Sequence, residues 1–241
     1  MVNLSMQKII ILLRINAFLR VKCYTSIVIK LIRTRILGGE VNMEKLKIVI
    51  ATNNEHKIKE YRDLFNDLNV ELMSLKEASL TLDAEESGKT FKENAIIKAK
   101  AVQDKTDAIV LSDDSGLEID YLLGFPGIHS ARFLSNYPQK EKNQAILDLM
   151  KETNERSARF RCAIALANFK KDEILVFEGT EEGKIACSPS GNNGFGYDPI
   201  FISSTFNRPY AELTEEEKNQ VSHRSRALRK LIDELFIDYK K

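Results

Sequence analysis

The sequence predicts an α/β protein built on a mixed β-sheet, and two patterns predict it. Near residue 46 a short apolar run passes through a polar loop into residues at helical spacing, and after residue 157 two apolar-rich runs are joined by a charged turn. Strand–loop–helix units favour parallel pairing and a hairpin is antiparallel, so one sheet must hold both. The 241 residues, 43% hydrophobic and 29% charged, suffice for one large domain or two modest ones.

Residues 1–42 read as a basic, apolar extension ahead of a body spanning 43–241. Up to residue 40 the extension holds seven Lys or Arg against Glu40 alone, a net +6, without a clean period. Three readings stay open: an acid-poor transit peptide, a basic helix lying on a surface, and an upstream stretch outside the native protein. The third is the expectation, because Gly38-Gly39-Glu40 is what a translated purine-rich ribosome-binding sequence yields and Met43 leads straight into a strand.

Leu46 to Ala51 is apolar enough for a buried strand. The polar loop Thr52-Asn53-Asn54-Glu55-His56-Lys57 follows, and then Ile58, Tyr61, Leu64, Phe65 and Leu68 at helical spacing. Such a loop aims backbone N–H groups and the positive end of a helix at whatever sits above the strand, with Lys57 one turn in. It reads either as an anion site or as an ordinary helix cap with a solvated lysine; there is no P-loop glycine pattern. Val70 to Leu75 is a second strand. Phe91, Ala95, Ile96, Ala99 and Val102 mark a second helix, on which Asn94 and Lys98 share a face that is either solvated or turned to the same cleft as Lys57.

From Ala108 an apolar run feeds into Ser112-Asp113-Asp114-Ser115-Gly116, then Leu117 and Ile119 alternate with Glu118 and Asp120. Carboxylates are almost never fully buried unless paired or metal-bound, so this is either a turn or a metal and base site. Tyr121 to Gly127 is a loop, and Gln139 to Glu152 a helix with Ala145, Ile146, Leu149 and Met150 inward. Ala158 to Phe169 is a long strand, turned by Lys170-Lys171-Asp172-Glu173 into a partner from Ile174 to Gly179, with a third strand expected over Gly183 to Cys187. In Gly191 to Pro199, Phe195 and Tyr197 are expected as exposed loop aromatics, suited to stacking on a base or to plugging a turn. Thr214 and Glu217 form a capping box; the helix they start should break near Val221, with Ser222 capping the next, so that Lys218, His223 and Arg224 converge.

The body beyond residue 40 carries −5, with 29 Lys or Arg against 34 Asp or Glu, which excludes the basic stripe of a duplex-binding protein. Three widely spaced cysteines read as free thiols in a reducing compartment, and no apolar run reaches the ~18 residues of a membrane span. The body is therefore expected in the cytoplasm, with neither nucleic acid nor membrane as partner.

Six segments in order, Thr52–Lys57, Ser87–Ala95, Ser112–Leu117, Pro126–Phe133, Gly194–Pro199 and Glu217–Asn219 with Ser222–Arg224, make the body from about Lys47 to Leu235 resemble the inosine triphosphate pyrophosphatases, also called XTP/dITP diphosphatases. The resemblance implies two lobes around a long mixed sheet with the substrate in the cleft between them, usually as a homodimer. It implies hydrolysis of a nucleoside triphosphate between the α and β phosphates. It places Thr52, Asn53, Asn54, Glu55, His56, Lys57 and Lys218 on the phosphates. Glu85 and Asp114 become magnesium ligands, Asp114 also the proton acceptor, and Ser115 a substrate contact. Phe195, Gly196, Tyr197, Asp198, His223 and Arg224 become the base-recognition set.

Electrostatics agrees with that assignment. A triphosphate carries about four negative charges, and a carboxylate ~4 Å from one is repelled by roughly 1–4 kcal/mol, so Asp113-Asp114 meets it only through a cation. Magnesium fits, and Lys57, Lys98, Lys218 and Arg224 are the expected phosphate-holding cations. Donors aimed at a 6-keto oxygen would leave adenine mispaired; nothing in the sequence explains how guanine is excluded. Two other readings remain: a pyrophosphatase for other modified or pyrimidine triphosphates, and a nucleotide sensor without turnover.

Overall fold

The computed structural model describes residues 45–236, so the expectations for the extension 1–42 lie outside the described residues. The chain runs β1 (Leu46–Ile50), α1 (Glu55–Leu64), β2 (Val70–Ser74), α2 (Phe91–Gln103), β3 (Ile109–Ile119), α3 (Gln139–Leu149), β4 (Ser157–Lys170), β5 (Glu173–Ile185), β6 (Phe201–Ser203), α4 (Glu215–Val221) and α5 (His223–Leu235). The strands form one mixed sheet, β2-β1-β3-β4-β5-β6. β1 lies parallel to β2 and β3, and every later pair is antiparallel.

Strand alternation distributes the apolar residues to two faces. Ile48, Ile50, Leu111, Cys162, Ile164 and Leu166 pack on one face with α1 and α5. Val49, Val110, Ala163, Ala165 and Ala167 pack on the other with Phe91, Ala95, Ala99 and Val102 of α2. Small alanines on that second face let α2 approach the sheet closely. A third cluster, from Leu117 and Ile119 through α3 to Phe201, Tyr210 and Val221, forms the other lobe.

One expectation is corrected and two open alternatives are decided. The third strand is not Gly183 to Cys187: Gly183–Ile185 end the long β5, and the added strand is β6, paired Gly183↔Ser203 to Ile185↔Phe201. A three-residue strand carries too little alternation to be read against its loops. The pair Asp113-Asp114 does not make a turn, because β3 runs through it, with Asp113 opposite Ile164 and Asp114 opposite Ala163. Lys98 does not lie on a solvated face but is buried, as is Asn94. The helix break holds: α4 starts on the Thr214–Glu217 capping box, and the Ser222 side chain caps α5.

Candidate active site

Because side chains alternate along a strand, adjacent acids at the centre of β3 face opposite sides of the sheet. Asp113 shares the face of Leu111 and meets α1 and α5; Asp114 shares that of Val110 and meets α2. Each lies almost wholly out of water, so each needs partners.

On the α2 face, Asp114 Oδ1 takes the Lys98 ammonium at 2.9 Å, and Oδ2 accepts the Asn94 amide at 3.2 Å. Lys98 is shared with Glu86 Oε1 at 3.0 Å. Burial raises the Asp114 pKa above the usual carboxylate value, and Lys98 opposes that only in part. Glu85, the acid expected beside Asp114, is exposed and makes no ion pair among the described residues; its neighbour Glu86 is the one brought in.

On the opposite face, Asp113 Oδ2 gathers Lys57 at 3.0 Å and Arg224 Nη2 at 3.2 Å. Burial alone would raise this carboxyl, but Lys57 and Arg224 outweigh it and hold it well below the ordinary range. Arg224 also donates to Ser115 Oγ at 3.0 Å and pairs with Glu60. Glu60 Oε1 meets Lys218 at 3.0 Å, and Lys218 meets Asp198 Oδ2 at 2.7 Å. Against its own burial, Arg224 and Lys218 pull the Glu60 pKa down to about 2.

Glu60 was missed at the level of sequence. The available signal was its place three residues after Lys57, on the same face of α1.

Asn54 caps α1, accepting the N–H groups of His56 and Lys57 at 3.0 and 3.3 Å, while Thr52 Oγ1 accepts Asn54 N–H. The loop is thus a side-chain cap, and its lysine is tied to Asp113 rather than solvated. Asn53 and Glu55 are exposed.

The 191–199 loop divides its two aromatics. Tyr197 is buried, correcting its expected exposure, because its hydroxyl donates to Ser130 O at 3.0 Å and so needs no water. Gly196 O accepts the Asn143 amide at 3.1 Å, pinning the loop to α3. Phe195 remains half-exposed, stacked on His56 with ring centroids 4.9 Å apart and 9° between planes. Asp198 Oδ2 accepts Phe195 N–H at 2.8 Å, and Gly194 (φ +73°) must be glycine, since a Cβ would stand 2.0 Å from that oxygen.

Lys218 Nζ lies 4.8 Å from the Phe195 ring centroid. Buried His223 stacks on Phe160 at 4.8 Å; burial and Arg224 keep its pKa well below the ordinary value, so the ring is neutral. A cleft of about 360 Å³ opens here, with His56, Glu60, Phe195, Tyr210 and Lys218 among its walls.

A metal would find hard oxygen donors at Asp114 and Glu86, which already hold one cation, Lys98, between them. Among the described residues no three His, Cys, Asp or Glu side chains converge on one point. Two carboxylates suit magnesium, which keeps several waters and completes its shell with phosphate.

The Ham1 family model matches residues 48–234. A dITP/XTP pyrophosphatase of Clostridium perfringens is 44% identical over 198 residues, covering 78% of this chain and 97% of its own. That of Bacillus subtilis is 45% identical over 186 residues, covering 76% and 93%. Among solved structures, the Ham1 protein of Staphylococcus aureus matches with a TM-score of 0.71 at 38% identity, over 80% of this chain and 99% of that one. A HAM1 protein from Coxiella burnetii matches with 0.72 at 41% identity, over 79% and 98%. On this match of sequence and structure, the chain belongs to the Ham1 family.

Proposed function

We propose that this protein hydrolyses non-standard purine nucleoside triphosphates, ITP, dITP and XTP, to the monophosphate and pyrophosphate, clearing them from the nucleotide pool. Curated relatives more than 40% identical carry the name dITP/XTP pyrophosphatase. The observation that carries the reading is the division of Asp113 and Asp114: the first meets two cations and is held low, the second meets one and has a raised pKa.

In this reading the base enters the cleft against Phe195 and His56, where Lys218, Arg224 and neutral His223 surround a 6-keto purine with donors. Asp198 and Glu60 fix those donors; Tyr197 and Gly196 hold the loop. Ser115 and the cap from Thr52 to Lys57 lie toward the phosphates, with Lys57 as the point charge. Asp114 and Glu86, with Glu85 beside them, would hold a magnesium ion, which would supply positive charge between the polyphosphate and this acidic end and lower the pKa of a bound water. Asp114 accepts the proton of the attacking water, and Lys98 stabilises the charge that develops on the phosphate oxygens.

A homodimer belongs to the same proposal, supported by exposed Tyr121, Leu123 and Tyr137 on the α3 lobe. The cytoplasmic setting is supported by the free thiols Cys162 and Cys187. Among the described residues no helix is long and apolar enough to cross a membrane.

The test is a nucleotide panel with magnesium and product identification. ITP, dITP and XTP should release pyrophosphate about 100-fold or more faster than ATP. Orthophosphate as the product, equal rates on all purines, preference for pyrimidines, or tight binding without turnover would each overturn the reading.

A further inference from the structure

Asn94 is completely buried on α2, where a polar side chain needs a reason. Both ends of its amide are used. The oxygen accepts Gly88 N–H at 2.9 Å, and the nitrogen donates to Asp114 Oδ2 at 3.2 Å. Gly88 lies two residues after Glu86, the acid that reaches Lys98 at 3.0 Å, and Lys98 in turn reaches Asp114 Oδ1 at 2.9 Å. The approach of loop to helix is tight: a Cβ on Gly88 would stand 2.6 Å from Asn94 Oδ1 and 2.7 Å from Glu93 Cβ. One side chain therefore joins the backbone of the acidic loop to the carboxylate of β3.

We propose that Asn94 is a positioning residue that sets the spacing between Glu86 and Asp114, clasping the Glu86 loop through Gly88 N–H and Asp114 through Oδ2. The proposal rests on the reading of those two acids as the metal-holding pair. The clasp requires a donor and an acceptor on one short planar group. An aspartate at this position would supply only acceptors and repel Asp114, and a leucine would leave Gly88 N–H without a partner. Gly88 is the complementary half of the contact, since only a residue without Cβ lets the loop approach.

Metal binding is read directly, with Mn²⁺ as probe followed by electron paramagnetic resonance, in the full chain and in Asn94→Leu and Gly88→Ala. Each variant should bind Mn²⁺ 10- to 100-fold more weakly, and the double variant no more weakly than the worse single one. Hydrogen exchange gives a readout independent of metal: the Gly88 amide should be protected in the parent and exchange at least tenfold faster in Asn94→Leu. Unchanged Mn²⁺ affinity in either folded variant, additive losses, or an unprotected Gly88 amide in the parent would overturn the proposal. If Asn94→Leu does not fold, Gly88→Ala and the parent's exchange still decide it. Failure of the parent to bind Mn²⁺, with Gly88 protected as expected, would instead count against the metal-holding reading.

Discussion

The two faces of β3 use the same residue types and reach opposite electrostatic outcomes. On the α2 face, Asp114 and Glu86 share Lys98, and Glu86 also comes within 3.9 Å of Arg132, so Asp114 itself meets one cation. On the α1 and α5 face, Asp113, Glu60 and Asp198 are matched by Lys57, Lys218 and Arg224. Asp113 is accordingly held low and Asp114 is raised. A buried carboxylate that meets one cation is costlier than one that meets two, and in the proposed reading this is the face where a metal cation and a proton would be handled.

The comparison breaks most severely at Asp114. Asp114→Asn keeps the shape of the α2 face and removes the carboxylate; pyrophosphate release from ITP should fall about a thousandfold, measured at steady state with saturating magnesium. Activity within tenfold of the parent would mean that this carboxylate is not what does the chemistry.

Glu60→Gln unbalances the other face, leaving Lys218 and Arg224 short of a carboxylate. At pH 7 the protein should lose roughly 2–4 kcal/mol of unfolding free energy. Glu60 titrates near 2 when folded, against 4.5 ordinarily, so its stabilising contribution is complete above the ordinary value and is lost as pH falls toward 2. Denaturant titrations of parent and variant should therefore converge on acidification; a gap that stays constant or widens would contradict the pairing.

The smallest effect is expected at Phe195. Phe195→Ala removes a stacking plane while leaving both charge clusters in place, so KM for ITP should rise about 5- to 100-fold with kcat within a few-fold. A fall in kcat as large as that of Asp114→Asn would erase the distinction between a face that binds and a face that reacts.

Local chemistry made much of this legible in advance. β1 and the α1 period, the Lys170–Glu173 hairpin and the break at Ser222 each depend on residues within a few positions of one another, and each stands in the structure. What escaped depends on contacts far along the chain. Glu60 is one of several charged residues on α1, and only the approach of Lys218 and Arg224, 158 and 164 residues later, singles it out. Glu85 and Glu86 are adjacent acids in a loop without period, so nothing local says which turns inward. Tyr197 reads as exposed until the carbonyl of Ser130 is found at its hydroxyl. The apolar run that feeds into Asp113-Asp114 located the acid pair; the alternation of β3 then separated its members.

That alternation bears on how this chain tolerates insertions and deletions. If Ser112 were deleted with the β1 pairing upstream kept in register, Asp113 would move into the place of Ser112, packed against Ala95, and Asp114 would turn to the side of Lys57 and Arg224. Ser115 would then face Lys98. The text of the chain would still read Asp-Asp-Ser-Gly, so a comparison of letters would score the motif as intact in a protein whose Asp114 no longer met Lys98.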